Sequence, residues 1–259
     1  MSLLEVRDLS KKFGGNVAVD GIGFDVAKGE LLAMIGPNGA GKTTTFNMID
    51  GQIKATTGSV KLRGTELVGL SPRNIARLGV GRTFQIAATF ASLTVVENVQ
   101  MALLAHHRQI YSFFSVAAQR FRPEALNLLA QVGLDSQGDR PCSQLAYGDV
   151  KRVELAMGLA NEPSLLLMDE PTAGMAPKER DELMALTRRL VLEREMAVLF
   201  TEHSMDVVFA HADRVIVLAR GQLIAEGDVD TIRNHPKVQE VYFGSGKTFE
   251  RNKSPQVTA

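Results

Sequence analysis

The chain has 259 residues, 45% of them hydrophobic and 22% charged, a composition typical of a folded globular protein and not of a disordered, collagen-like or coiled-coil one. Its 29 basic and 29 acidic residues cancel, so no long-range field favours nucleic acid or an anionic membrane surface. The single cysteine, Cys142, cannot form an intrachain disulfide.

Neither a cleaved leader nor a membrane-spanning helix is predicted. Charged residues, among them Glu5, Arg7 and Asp8, stand where a signal peptide needs an apolar stretch. The apolar runs are of strand length and fall well short of the roughly 18 residues of a spanning helix. We therefore expect a cytoplasmic protein that reaches a membrane only through a partner.

The first third of the chain alternates short apolar segments with turns, a pattern typical of strands. Strands are predicted at residues 3–9, 17–19, 23–26, 31–35, 59–62 and 80–84. A short helix is expected directly after the glycine-rich turn at residues 36–41, because Phe46, Met48 and Ile49 are apolar.

From about residue 94 to residue 160 the pattern is helical, with helices predicted at residues 95–105, 123–132 and 150–160. A buried strand at residues 165–168 precedes an amphipathic helix at residues 177–195. Further strands are predicted at residues 197–200, 214–218 and 222–225, the last two as a hairpin. Strands alternating with helices predict an α/β fold with a parallel-rich sheet and an inserted helical lobe.

A glycine-rich turn after the buried strand at residues 31–35 matches the phosphate-binding loop in full. Its glycines let backbone N–H groups turn toward phosphates, the following helix adds its positive end, and Lys42 supplies a point charge. The Thr43 hydroxyl can ligate Mg²⁺. The sequence therefore predicts a nucleoside triphosphate site, formed by Gly36, Pro37, Asn38, Gly39, Ala40, Gly41, Lys42, Thr43 and Thr44.

Two carboxylates end the apolar strand at residues 165–168. Beside a phosphate loop, Asp169 is expected near the magnesium ion and Glu170 one residue further toward the γ-phosphate. In that position the Glu170 carboxylate could serve as the general base that activates water.

The ordered set of motifs resembles an ATP-binding-cassette (ABC) ATPase from about residue 3 to residue 244. Besides the two motifs above, the set includes Phe13 before two glycines, Gln85 before the helical insertion and His203 after the next strand. The segment Leu145-Ala146-Tyr147-Gly148-Asp149 lies between the phosphate loop and the acidic strand end. The resemblance implies a P-loop core at about residues 1–85 and 161–243, with an antiparallel β subdomain, and a helical subdomain at about residues 86–160. Residues 244–259 are expected to be a flexible polar tail.

The resemblance also implies a role for each matched residue. Phe13 would stack on adenine, and His203 would contact the γ-phosphate. Gln85 would contact magnesium or water, Asp169 would hold magnesium through water, and Glu170 would activate the attacking water. Residues 145–149 would form the signature segment that contacts ATP bound to the opposite subunit.

Departures from the usual family pattern indicate which subfamily of ABC ATPases this chain resembles. The usual signature reads Leu-Ser-Gly-Gly-Gln, whereas this chain has Ala146, Tyr147 and Asp149 in place of serine, glycine and glutamine. The Tyr147-Gly148 pair and the Ala173-Gly174-Met175 run are similar to ATPases of branched-chain amino acid importers. Because Ala146 lacks a hydroxyl and Asp149 adds a negative charge, the site completed by this signature is expected to be the less active one. The exception would be a basic group, such as Lys151 or Arg152, that offsets this charge.

The resulting expectation is an ATPase, with ATP and Mg²⁺ as cofactors, that powers import of branched-chain or related amino acids. Its partners would be two transmembrane permease subunits, a second, non-identical ABC ATPase and, indirectly, a periplasmic solute-binding protein, with no nucleic acid. The location would be the cytoplasmic face of a bacterial inner membrane. The alternatives are a lipid or lipopolysaccharide exporter ATPase and a soluble ABC ATPase without a transport role.

Overall fold

The strands form a six-stranded, mostly parallel sheet and a four-stranded antiparallel sheet. A computed structural model of the chain describes residues 2–83, 89–107 and 121–243. The six-stranded sheet has the order β10-β9-β3-β8-β7-β6, with only β10 antiparallel to its neighbour. Its strands are β3 (Leu31–Ile35), β6 (Val80–Thr83), β7 (Leu165–Asp169), β8 (Ala197–Thr201), β9 (Arg214–Ala219) and β10 (Gln222–Gly227).

The central strands read as continuous apolar runs because both faces of this sheet are covered. Every residue of β3, β7 and β8 is buried. Alternate residues of β3 belong to opposite layers: Leu31, Ala33 and Ile35 to one, Leu32 and Met34 to the other. The first layer continues into the helices that follow residue 94. The predicted parallel-rich α/β fold is confirmed.

The four-stranded sheet has the order β2-β1-β4-β5 and confirms the expected antiparallel part. Its strands are β1 (Ser2–Phe13), β2 (Asn16–Ala27), β4 (Thr57–Leu62) and β5 (Thr65–Glu66). The two strands predicted at residues 17–19 and 23–26 are one strand, so that prediction was wrong. The register of β1 on β2 shifts between Leu9 and Lys11, and Gly21 has a φ of +63°. This irregularity interrupts the apolar alternation and makes one strand look like two.

The helices agree with the predictions where they are long. They are α1 (Lys42–Ile49), α2 (Pro72–Arg77), α3 (Val95–His106), α4 (Arg122–Gln131), α5 (Tyr147–Leu159), α6 (Pro177–Arg194), α7 (Met205–His211), α8 (Val229–Asn234) and α9 (Pro236–Phe243). Helices α2, α7, α8 and α9 were not predicted, because six to eight residues show too little periodicity. Within the described ranges, no helix is both long and apolar enough to cross a membrane.

Helix α5 begins at Tyr147 and not at residue 150 as predicted. The residue at its N-cap, Ala146, is extended and makes no capping hydrogen bond through its side chain. The sequence therefore lacks the polar residue that ordinarily marks a helix start. The proposed boundaries of the helical subdomain stay a prediction.

Candidate nucleotide-binding site

The turn between β3 and α1 can be built only with glycine at two positions. At Gly36, with a φ of +156°, an added Cβ would lie 2.2 Å from the Leu218 carbonyl oxygen. At Gly41, with a φ of +106°, an added Cβ would lie 2.7 Å from the Ala18 carbonyl oxygen. Because Gly41 directly precedes the first residue of α1, the turn feeds the N-terminus of that helix, where backbone N–H groups lack intrahelical partners.

Lys42 lies across this turn. Its Nζ donates to the carbonyl oxygens of Gly36, at 2.7 Å, and Pro37, at 3.3 Å. Burial lowers the pKa of Lys42, while the charges of Glu170 and Asp169 act in the opposite direction. The turn thus combines a buried cation with helix-end amides, which suit phosphate. The two nearby carboxylates suit a divalent cation bound together with that phosphate.

A cavity of about 540 Å³ opens over the turn. Its lining joins segments that are far apart in the sequence: Phe13 and residues 16–18, residues 38–44, Glu170, His203 and Arg220. The structure therefore brings most of the predicted site residues to one place. A larger groove, of about 790 Å³, lies elsewhere near Ser2, Glu162 and Arg194 and contains none of the predicted residues.

Asp169 is the buried last residue of β7. Its Oδ1 accepts a hydrogen bond from Thr201 Oγ1 at 2.8 Å, and its Oδ2 lies 3.2 Å from Arg82 Nη2. The next residue, Glu170, has a φ of +48° and donates its backbone N–H to Thr201. This left-handed conformation is uncommon for a non-glycine residue and turns the chain out of the sheet directly after the two carboxylates.

Glu170 and His203 form a pair at the cavity. Glu170 Oε1 is 2.8 Å from His203 Nε2, the glutamate mostly buried and the histidine half-exposed. The backbone N–H of His203 donates to Glu202, which is buried and also accepts from the backbone N–H and the hydroxyl of Thr172. The Glu202–Thr172 contact thus links the turn after β7, which carries Glu170, to the turn after β8, which carries His203. Neither residue was predicted from the sequence, because only the folded chain brings them together.

Phe13 lies at the rim of the cavity, at the end of β1. Its side chain is exposed, and Lys11 Nζ lies 4.9 Å from the centroid of its ring. An exposed aromatic ring beside a phosphate-binding turn can stack on a flat ring system.

Residues 145–149 lie outside the lining of this cavity. Tyr147 is exposed, and Asp149 Oδ2 accepts a hydrogen bond from Gln137 Nε2 at 3.3 Å. The two basic residues that could offset the Asp149 charge lie beside other acids. The Nζ of buried Lys151 lies 3.0 Å from Glu154, and Arg152 lies 3.0 Å from Glu182. Asp149 lies in the first turn of α5, where the helix dipole favours a negative charge.

Gln85 falls outside the described residues, so its predicted role stays a prediction. Arg82, three positions earlier, was not among the predicted site residues. The only sequence signal was a charge within a short strand.

The residues present fit a magnesium ion bound together with phosphate. The Thr43 hydroxyl and the Asp169 carboxylate are hard oxygen donors, which Mg²⁺ prefers, and Mg²⁺ at a phosphate site needs only one or two protein oxygens. Across residues 2–83, 89–107 and 121–243, no cluster of three His, Cys, Asp or Glu side chains could hold a metal by itself.

A phosphate-binding turn between a buried strand and a helix, faced by two carboxylates at the end of a parallel strand, defines a P-loop nucleoside triphosphatase. The family profile described as ABC transporter matches residues 19–173, and that of the branched-chain amino acid ATP-binding cassette transporter matches residues 222–248. The chain therefore belongs to the family of ABC transporter ATPases.

Two named transport proteins and two solved structures are similar to this chain over most of its length. The high-affinity branched-chain amino acid transport ATP-binding protein BraF of Pseudomonas aeruginosa is 39% identical, covering 93% of this chain and 98% of BraF. LivG of Escherichia coli, with the same description, is 40% identical with the same coverage. A crystal structure of a nucleotide-free ATP-binding cassette from an ABC transporter superposes with a TM-score of 0.86 at 30% identity, covering 94% of this chain and all of the other. An ADP-bound cassette gives 0.83 at 29% identity, covering 94% and 99%.

Proposed function

We propose that this ATPase powers the import of branched-chain or related amino acids across a bacterial inner membrane, from its cytoplasmic face. BraF and LivG, which match almost the whole chain, are named as ATP-binding proteins for that transport. The profile match at residues 222–248 supports the same subfamily. The single observation that carries the enzymatic part is the Glu170–His203 pair at the phosphate-loop cavity.

ATP would bind with its phosphates on the turn between β3 and α1. The N–H groups at the start of α1 and the Lys42 ammonium would compensate the phosphate charge. For Lys42 this means exchanging its present carbonyl partners, at Gly36 and Pro37, for phosphate oxygens. Stacking of adenine on Phe13 would place the base at the rim of the cavity. The proposed binding residues of the turn are Gly36, Pro37, Asn38, Gly39, Ala40, Gly41, Lys42, Thr43 and Thr44.

Glu170 would take the proton of the attacking water. Its carboxylate lines the cavity that also contains Lys42, and Glu170 Oε1 lies 2.8 Å from His203 Nε2, so a carboxylate is present beside the phosphate turn to accept a proton. His203 is exposed enough to contact the γ-phosphate as well. A magnesium ion held by Thr43 and Asp169 would supply positive charge to the phosphate oxygens.

Completion of the site would require a second ATPase subunit. The segment formed by Leu145, Ala146, Tyr147, Gly148 and Asp149 lies outside the chain's own cavity, and Tyr147 is exposed. A signature segment in that position is suited to ATP bound on a facing subunit. We propose a non-identical ATPase as that partner, with two permease subunits above the pair and a periplasmic solute-binding protein that delivers the amino acid.

Reconstitution in proteoliposomes tests the proposal. The chain is purified with its co-purifying membrane subunits and the solute-binding protein encoded beside them, and ATP turnover is measured. Leucine, isoleucine or valine should stimulate turnover, whereas lysine and lipid should not. Stimulation by lipid alone would instead support an exporter, and an active chain that never co-purifies with membrane proteins would overturn the transport function.

A further inference from the structure

Arg82 is a buried arginine that joins the phosphate-loop helix α1 to the acidic end of β7. Only 9% of its side chain is exposed. It lies on β6, which pairs with β7 so that Arg82 is beside Leu167, two residues before Asp169. From this position its guanidinium extends toward the carboxyl ends of the strands.

On the α1 side, Arg82 Nη1 lies 2.6 Å from Asn47 Oδ1 and 2.5 Å from Asp50 Oδ2. Asp50 is buried as well, and it also accepts hydrogen bonds from the backbone and the side chain of Gln52. The Phe46 ring lies 5.8 Å from the guanidinium carbon. The guanidinium is therefore held on the helix that begins with Lys42.

On the β7 side, Arg82 Nη2 lies 3.2 Å from Asp169 Oδ2, while Thr201 holds the other oxygen of the same carboxylate. One cation thus faces two buried anions, and the closer of the two is Asp50. Because the guanidinium is shared with Asp50, it offsets the Asp169 charge less than it would if Asp169 were its one acidic neighbour. Charge interactions between buried groups are much less screened than those on a surface.

We propose that Arg82 is a positioning residue that sets the attraction of Asp169 for a divalent cation, and that Asp50 adjusts this attraction by sharing the guanidinium. The inference rests on the proposed function, because it takes Asp169 to be the metal-side carboxylate. In this inference buried Asp50, which lies outside the cavity lining, acts on the metal side only through Arg82.

The test measures binding of Mn²⁺, as a probe for Mg²⁺, to the full chain loaded with ATP. Loss of the free-ion signal in electron paramagnetic resonance gives the affinity, with protein in excess over ATP. Arg82→Gln should bind Mn²⁺ about three- to tenfold more tightly, because a positive charge near Asp169 is removed. Asp50→Asn should bind it more weakly by a similar factor, because the guanidinium then acts on Asp169 alone.

Two further variants separate charge from folding. Arg82→Lys keeps the charge and should stay within about twofold of the wild-type affinity, although it loses the two-armed contact. Arg214→Gln removes a partly buried arginine that pairs with Glu30 and Glu226, and it should leave the Mn²⁺ affinity unchanged. Thermal unfolding of each variant reports its stability separately.

Opposite shifts for Arg82→Gln and Asp50→Asn support the inference. If Arg82→Gln does not fold, the Asp50→Asn result decides, since this variant keeps the shape of the side chain. Equal or weaker Mn²⁺ binding in folded Arg82→Gln, or unchanged binding in Asp50→Asn, overturns the inference while leaving the proposed function intact. A wild-type chain that binds no Mn²⁺ with ATP would overturn the proposed function itself.

Discussion

Glu170 and His203 meet because their strands are parallel neighbours in register. Asp169, the last residue of β7, pairs with Thr201, the last residue of β8, so the residues that follow each strand emerge at the same edge of the sheet. There Glu170 Oε1 lies 2.8 Å from His203 Nε2. Parallel topology therefore accounts for a contact between side chains that are far apart in the sequence.

Glu170→Gln should retain ATP binding and lose turnover by about 10²–10⁴-fold in the reconstituted complex, because an amide cannot accept the proton of water. A steady-state phosphate-release assay measures the loss. The matched control is Glu193→Gln, which changes an exposed glutamate on α6 and should turn over like the wild type. Wild-type turnover in Glu170→Gln would remove Glu170 from the reaction.

Lys42→Ala should abolish tight ATP binding, since the phosphate charge would lose its buried counter-ion. Titration of the purified chain with a fluorescent ATP analogue measures the affinity. Lys61→Ala, which removes an exposed lysine of β4, serves as the control and should bind normally. Equal affinity in the two variants would contradict the phosphate-site assignment.

Leu199→Ala should destabilise the chain by about 2–5 kcal/mol, because it leaves a cavity in the fully buried strand β8. Leu192→Ala is the matched comparison: the side chain of Leu192 on α6 is 63% exposed, so its loss should change the free energy of unfolding by about 0.5 kcal/mol or less. Urea denaturation of both variants gives the two values. Similar costs would show that β8 is not the packed centre of the sheet.

Ala146→Ser should stabilise the isolated chain by about 1 kcal/mol. The residue is exposed, extended and at the N-cap of α5, where a serine hydroxyl can accept a hydrogen bond from the first turn. Ala176→Ser makes the same change at the N-cap of α6 and should give a similar gain.

The two capping variants should then differ in the complex. Only Ala146→Ser adds a hydroxyl to the signature segment, so only this variant should raise ATP turnover at the site that the segment completes. Combining it with Asp149→Gln restores the usual signature further. Turnover that rises equally in Ala176→Ser would attribute the effect to stability and not to the signature.

Cys142 should resist thiol reagents in the folded chain. Burial raises the pKa of its thiol, with the Glu154 charge acting in the same direction, so the reactive thiolate is scarce near neutral pH. Ellman's reagent should therefore react slowly with the native chain and fast in urea, and the native rate should rise with pH. Fast labelling of the native chain at pH 7 would contradict the burial of this residue.

The sequence alone determined those parts of the site whose residues are neighbours in the chain. The buried strand β3, the glycines of the following turn and Lys42 are adjacent in the chain, so their pattern alone predicts a phosphate site. Long helices such as α3 and α6 were also predictable, since amphipathic spacing persists over several turns. Short helices and the irregular strand β2 were not, because a few residues carry too little periodicity.

The tertiary structure decided which distant side chains meet. Parallel pairing of β7 with β8 placed His203 on Glu170, and pairing of β6 with β7 placed Arg82 between Asp50 and Asp169. The fold also places Lys151 beside Glu154, whereas Asp149 accepts a hydrogen bond from Gln137. Residue order specifies a local backbone conformation, whereas a contact between strands depends on their order and register in the sheet, which only the assembled core establishes.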